Sequence, residues 1–570
     1  MDLKAQMGQL LAPEFTLAQL AEKLFQSEPD PDRVVMRQWI YGEEETCREL
    51  TRAQVNNRIK VVAGRLQQVA EPGTRVAILA GNSPEYVFGF LGALYAGMVP
   101  IPLYDPNEPG HADHLKAVFG DCEPSIVVTN RVSAAAVSKY FSGQRERPRV
   151  ISLDALPDSL ASSWTPVEGG AGDTAFLQYT SGSTRTPAGV ELTNRAIITN
   201  VAQIFQALQL QMPARIVSWL PMHHDMGIIL AVFVTILGLD FEMMTPRDFI
   251  QHPDRWVRRL TAGGQATYSA IPNFALELAA RHAKDADFSR VAGIIIGSEP
   301  VTETAVESFL RAFSVDRSVL RPSYGLAEAA LIVSTPQTEN RPVISHFNRA
   351  ELAAGRAVIE DKSDATVAYA SNGQCVPHQH LAIVDPETRA EVEDGVIGEI
   401  WVHGPNMASG YLNRPEETAA TFHNTLGDRQ QEGLPEDDFW MATGDLAAIV
   451  DGELYITGRL KDLIVIAGRN HYPQDIESTV QAASSQVRPD SVAAFSVEGK
   501  DSESLVLLVE RADDAQPADD AEASEAIRTA VTSHHGITPD DIVWKAPGEI
   551  NRTSSSKIAR RVAKKNYVGI

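Results

Sequence analysis

The chemistry of this chain starts at a run of small hydroxyls. Phe176 to Leu192 reads FLQYTSGSTRTPAGVEL, in which apolar residues lead into Thr180, Ser181, Gly182, Ser183, Thr184 and Arg185. A strand feeding such a loop suits a polyphosphate. Gly182 lets the backbone come close, successive N–H groups form an anion-binding concavity, and the hydroxyls add donors. No Gly-Lys-Ser/Thr ends the stretch, so it is not the common nucleotide-triphosphatase loop; a polar surface turn is the plainer alternative. In VLRPSYGLAEAALIVS, Tyr324 and Gly325 end a buried strand that leads into a turn and then a helix. The ring there can stack on a base, and Glu328 can hold Mg²⁺ against phosphate oxygens. In Trp440–Ser478, Asp445 follows Gly444 at a strand end, where its two acceptors can hold both hydroxyls of a ribose. Arg459 ends the next hairpin and can meet the same sugar, while Lys461 and Asp462 lie between two strands, as a hinge would. Lys557, in EINRTSSSKIARR, follows a Ser/Thr run that reads as a loop or helix cap and is the candidate catalytic cation. Taken singly, each has a bland meaning: a solvated helix carboxylate, a hairpin with charged turns, a surface lysine.

The elements that must position these residues alternate. Residues 15–70 predict a helix, a strand pair around Gly42 and a long amphipathic helix from about Arg52 to Gln67. TRVAILAG, VPIPLYDP, SIVVTN, RVISLD, RIVSWLP, ATYSAI and VAGIIIGS are apolar strands, and helical stretches such as PEYVFGFLGALYAGM run between them. That order predicts an α/β protein with mostly parallel sheets covered on both faces. After Val367, LAIVDP, GEIWVHG, DGELYITG and LIVIAG are strands joined by Asp, Pro and Gly turns, which predicts a small β subdomain over about 367–460. The expected division is a large N-terminal domain of two doubly wound parallel-rich sheets plus that subdomain (1–460), then a mobile α/β domain (461–570) hinged at Lys461. ADDAQPADDAEASEA reads as an exposed acidic loop before a helix.

Composition bounds the partners. The 570 residues are 44% hydrophobic and 22% charged, as in an ordinary globular protein of several folding units. A net charge of −24 argues against general nucleic-acid binding. Cys47, Cys122 and Cys375 are sparse and odd in number, which suggests reduced thiols in a cytoplasmic protein without a zinc cluster. No signal peptide is read in MDLKAQMGQLL, and no apolar run reaches the ~18 residues of a spanning helix.

In this order the hydroxyl-rich loop, the Tyr-Gly-x-x-Glu run, the Thr-Gly-Asp, the Gly-Arg-x-Lys-Asp and the terminal lysine resemble the adenylate-forming superfamily. SWLPMHHDMGI, TYSAIPNFALEL, GSEPV and GRNHYPQDIE are similar to its fatty-acyl-AMP ligases. LYDPNEPGH, GSTRTP and RPSYGLAEA look closest to the mycolic-acid branch, which activates very long chains. The resemblance implies ATP and Mg²⁺ as cofactors. Thr180–Arg185 would take the β- and γ-phosphates, and Glu328 with Thr184 the metal. Asp445 and Arg459 would take the ribose. Tyr324, Gly325, Gly297 and Ser298 would enclose the adenine, with Ser323 and Ala327 lining the same pocket. Lys557 would bridge the carboxylate and the α-phosphate, and His224 would orient one of them. Trp219, Met222, Met226, Ile229, Tyr268 and Phe274 are candidate walls of an acyl tunnel, each equally readable as core. Zinc at His223 and His224 is not expected, since neighbours on a strand end point apart.

The implied reaction forms acyl-AMP from a long-chain fatty acid. The acyl group then passes to the pantetheine thiol of an acyl-carrier protein or polyketide synthase. Lys557, Arg560, Arg561, Lys564 and Lys565 could form a basic helix face toward that carrier, or simply a solvated one. The resemblance implies that residues Pro336–Asp364, which lengthen the span between Glu328 and Gly398, match the family's insertion, which packs on the large domain and hinders the swing needed for CoA use; a plain surface loop is the alternative. Three departures stand out. Arg185 and Ala188 replace the usual glycine and lysine of the loop, and Ser556 replaces the glycine before the terminal lysine. An acyl-CoA synthetase, an amino-acid adenylation domain and a non-catalytic nucleotide-binding relative remain the alternatives.

Overall fold

A computed structural model of the chain describes residues 10–108, 112–180, 187–283, 286–338, 341–498, 503–553 and 557–569. Ser181, Gly182, Ser183, Thr184, Arg185 and Ser556 lie outside the described residues.

The expected parallel strands form two sheets. The first is wholly parallel, in the order Val99–Leu103, Arg75–Leu79, Ile126–Thr129, Arg149–Ser152. The second has seven strands in the order Leu320–Pro322, Val291–Ile296, Ala266–Ile271, Ala214–Ser218, Asp240–Met243, Val34–Tyr41, Glu45–Thr51. Only its last pair is antiparallel, the hairpin around Gly42. Helix Pro84–Tyr95 is buried along its whole length, which explains why its sequence is apolar all round. A Cβ on Gly92 would come 2.5 Å from Val62, so glycine there lets this helix close on Arg52–Gln67.

Smaller sheets surround these two in the large domain. Strands His380–Val384, Gly398–His403, Met441–Val450 and Glu453–Arg459 form an antiparallel sheet, and Thr174–Tyr179, Gly189–Thr193 and Gly410–Tyr411 form another. Beyond the 3₁₀ turn Leu460–Asp462 lies a second α/β unit. Its strands Val487–Glu498, Glu503–Arg511 and Asp541–Lys545 are packed by helices Pro473–Ala483 and Asp520–His535 on a core of Ile476, Val480, Leu507 and Ile527.

Four local expectations are corrected. The turn after Tyr324–Gly325 is the 3₁₀ segment Ala327–Ala329, which stops at Ala330 with φ 65° and leads into strand Ile332–Thr335 where a helix was expected. Asp445 lies inside a ten-residue strand, not at its end. The acidic segment becomes helical from Asp520. Carboxylates in a first helical turn are favoured by the helix dipole, and Arg511 pairs with Asp520 at 2.5 Å. The last helix is Arg560–Val568, which excludes Lys557, and Arg560 is committed to Glu477 (2.6 Å) and Asp462 (3.5 Å). The basic face as written therefore does not form.

The turn after Tyr324 is tightly packed. A Cβ on Gly325 would come within 1.7 Å of the Leu331 carbonyl oxygen. Gly325→Ala should therefore lose roughly 1–3 kcal/mol, as overpacking does. An unchanged thermal midpoint would show that the turn can shift at no cost.

Candidate active site

Ligands of open parallel sheets bind beyond the carboxyl ends of the strands, and the candidate residues gather there on the seven-stranded sheet. The strand ends are knitted together by backbone bonds: Gly297 N–H donates to Ile271 O (3.1 Å) and Ser323 N–H to Ile296 O (2.8 Å). Next to Gly297, Ser298 holds φ 70°, a left-handed conformation rare for a non-glycine residue and typical of sites that fix a backbone. Ser323 Oγ lies 2.8 Å from Thr335 Oγ1, and Ala327 is buried in the turn below.

The antiparallel hairpin makes Asp445 and Arg459 direct cross-strand partners. Arg459 Nε donates to Asp445 Oδ1 at 3.0 Å, and Tyr324 Oη donates to Asp445 Oδ2 at 2.7 Å. A carboxylate has about four acceptor positions, so two remain for hydroxyls. Burial, then the Asp445 charge, pushes the Tyr324 phenol well above its ordinary range, so it stays a donor. Asp445 raises the pKa of Arg459.

Lys557 enters this cleft from the second α/β unit. Its side chain keeps accessible surface, yet protein surrounds it as walls surround a group in an open cleft. Burial and the Arg459 charge lower its pKa, while Glu299, Asp445 and Asp225 oppose that shift. Glu328 Oε1 accepts from Tyr411 Oη (2.7 Å), and its backbone oxygen accepts from Ala408 N–H. One carboxylate oxygen is thus anchored while Oε2 takes no hydrogen bond among the described residues. Mg²⁺ is held by one or two carboxylates plus substrate phosphates and water, and Glu328 fits that pattern. Among the described residues no group of three or more His, Cys, Asp and Glu could cage a metal.

Two participants were missed. Asp225 and Glu299 both face Lys557, and burial raises the pKa of each. Asp225 Oδ1 accepts from Met226 N–H at the start of helix Asp225–Ile236, and Glu299 Oε1 accepts from Phe274 N–H. Both lie inside stretches singled out in the sequence, HHDMG and GSEP, but acids beside a polyphosphate site give no signal until a lysine is seen opposite them.

For the two histidines only the local geometry differs from the expectation of strand-end neighbours pointing apart. His223 and His224 occupy the turn before that helix, and their rings lie side by side with centroids 4.3 Å apart. The acyl-wall candidates divide. Met226 borders the cleft, 3.4 Å from where a Gly297 Cβ would sit. Met222 and Ile229 are buried, with Met222 N–H donating to Asn82 Oδ1. Trp219 stacks on Phe249 at 4.1 Å with Phe274 tilted 6.1 Å away, and Tyr268 Oη accepts from Gln211 N–H in mid-sheet.

Residues 25–412 match the description "AMP-binding enzyme", and residues 461–569 match "Disco-interacting protein 2-like, AMP domain". The chain belongs to the AMP-binding enzyme family. Among its relatives is the long-chain-fatty-acid–AMP ligase FadD32 of Mycolicibacterium smegmatis, 43% identical, with 91% of this chain and 89% of that protein covered. A solved structure from work on fatty acyl-adenylate ligases of E. coli and L. pneumophila is similar at a TM-score of 0.83 and 29% identity, covering 97% of this chain and 99% of that one. The L. pneumophila enzyme in complex with acyl adenylate and pyrophosphate is similar at a TM-score of 0.72 and 28% identity, with 97% and 96% covered. No helix among the described residues is long and apolar enough to cross a membrane.

Proposed function

We propose that this enzyme activates a long-chain fatty acid with ATP, giving acyl-AMP and pyrophosphate, and passes the acyl group to the pantetheine thiol of an acyl-carrier protein or polyketide synthase. The observation that carries the reading is the meeting of Tyr324, Asp445 and Arg459 from the large domain with Lys557 from the small one. A fatty carboxylate oxygen attacks the α-phosphorus, and the bond to the bridging oxygen breaks toward pyrophosphate. Two unit anions 4 Å apart repel by about 4 kcal/mol at an effective dielectric near 20, so a cation between them is the main requirement. Lys557 supplies it. Asp445 and Arg459 hold the ribose, Tyr324 with Gly297 and Ser298 borders the adenine, and Thr180–Arg185 take the β- and γ-phosphates. Glu328, with Thr184, would hold Mg²⁺, which supplies charge neutralisation at the phosphates. His224 orients the acid, and Met226 borders its path.

The choice of thiol falls to the small domain's freedom to turn about Lys461. The segment Pro336–Asp364 touches both domains. On the large one, His346 and Lys362 reach Glu303 at 3.3 and 2.7 Å. On the small one, Arg349 grips Asp475 with contacts of 2.9 to 3.3 Å, and Tyr472 Oη donates to Leu352 O. His535 lies 3.7 Å from Asp475, its pKa pushed down by burial to about 4, so it adds no cation that would compete with Arg349 near neutrality. Losing one partner of a desolvated ion pair costs about 3–5 kcal/mol. Arg349→Ala should therefore release the domain and raise acyl-CoA formation at least tenfold. A folded variant with no more acyl-CoA than the parent would remove the latch from the scheme.

The test of the overall reading is product analysis with ATP, Mg²⁺ and a ladder of fatty acids, with and without CoA. Acyl-AMP accumulating in both arms supports it, whereas quantitative acyl-CoA would favour an acyl-CoA synthetase.

A further inference from the structure

Two side chains not yet assigned a role hold the residues that flank the hydroxyl-rich stretch. At the entering end, His114 Nε2 lies 3.2 Å from the Thr180 carbonyl oxygen, and its Nδ1 lies 3.0 Å from Tyr104 Oη. A carbonyl only accepts, so Nε2 carries the proton. Burial lowers the pKa of His114, which keeps the ring neutral. Nδ1 then accepts from the tyrosine, and the tautomer is fixed. At the leaving end, Arg414 Nη2 donates to the Pro187 carbonyl oxygen at 2.7 Å. Thr180 N–H donates to Ala188 O, and Ala188 N–H donates back to Thr180 Oγ1, which closes the neck between the two ends.

Helix Ala112–Cys122 links the two anchors. It carries His114 near its start and Asp121 near its end. Asp121 accepts from Tyr179 Oη at 2.6 Å, on the strand feeding the stretch, and lies 3.9 Å from Arg414. Asn413 Nδ2 also reaches the Asp121 carbonyl.

We propose that His114 and Arg414 are positioning residues that clasp the two ends of the 180–187 stretch and so set where the β- and γ-phosphates of ATP are received. The inference rests on the reading that this stretch takes those phosphates. It adds a brace, joined through helix Ala112–Cys122, that acts through Thr180 and Pro187 without touching nucleotide.

The test uses the full chain and two ligands. ATP carries the β- and γ-phosphates, and an acyl-sulfamoyl adenosine lacks them. Losing the His114–Thr180 bond, at roughly 1.4 kcal/mol, should raise the KM for ATP about tenfold in His114→Ala. Arg414→Ala should do the same. Affinity for the sulfamoyl mimic and the KM for fatty acid should stay within about twofold of the parent. His114→Gln keeps an amide N–H at the Nε2 position and should bring the KM for ATP back to within about threefold, which lost packing alone would not predict. If Arg414→Ala does not fold, the two His114 variants carry the test. The inference is overturned if the KM for ATP is unchanged in His114→Ala, or if ATP and the mimic weaken equally. Ser183→Ala separates the failures. If it raises the KM for ATP while His114→Ala does not, the brace is wrong and the phosphate reading stands. If it too leaves ATP untouched, the phosphate reading fails and the inference falls with it.

Discussion

Lys557→Ala should reduce acyl-AMP formation by about 10²–10³-fold, the usual cost of removing one preorganised charge-stabilising donor, while ATP still binds. The separation follows from geometry. The groups proposed for the nucleoside, Tyr324, Asp445 and Arg459, sit on the large domain and bond one another without the lysine. Lys557 comes from the small domain and faces Glu299, Asp445 and Asp225. The pH profile supplies a second reading. The ammonium form is the active one, and a lowered pKa means it is lost at lower pH than in a free lysine. The alkaline limb of acyl-AMP formation should therefore fall below the ordinary lysine value of about 10.4. Lys557→Arg should lose that limb, because a guanidinium does not titrate there. Acyl-AMP formation near the parental rate in Lys557→Ala would end the assignment.

Asp445→Ala should be nearly as damaging, but through ATP affinity. Charged hydrogen bonds contribute roughly 1.5–3 kcal/mol each, so losing both ribose bonds should raise the KM for ATP by 10²-fold or more. The variant also leaves the buried Tyr324 hydroxyl without its acceptor, a cost of about 1–3 kcal/mol that the thermal midpoint will record. Asp445→Asn keeps one carbonyl acceptor and should lose less on both counts. A KM for ATP unchanged in Asp445→Ala would place the nucleoside elsewhere and dissolve the site as drawn.

Much of this protein is set by local pattern. The strands from Arg75–Leu79 to Val291–Ile296 were legible because parallel strands covered on both faces are continuous apolar runs bounded by turn residues. The long helix Arg52–Gln67 was legible from its periodicity. Tyr324, Asp445, Arg459 and Lys557 were picked out by a fixed order of short motifs resembling a known superfamily. What only the tertiary structure decided are relations that no local pattern encodes. Asp445 sits in mid-strand because its register against Glu453–Arg459 is set by cross-strand pairing, not by the Gly444 before it. Arg560 looked like part of a free basic face until Glu477, 83 residues away, was found against it. Asp225 and Glu299 became site residues only once the fold set Lys557 opposite. The sequence alone determined which chemical groups are present and in what order along the chain. Which of them meet depends on contacts between residues tens to hundreds of positions apart, and those exist only in the folded chain.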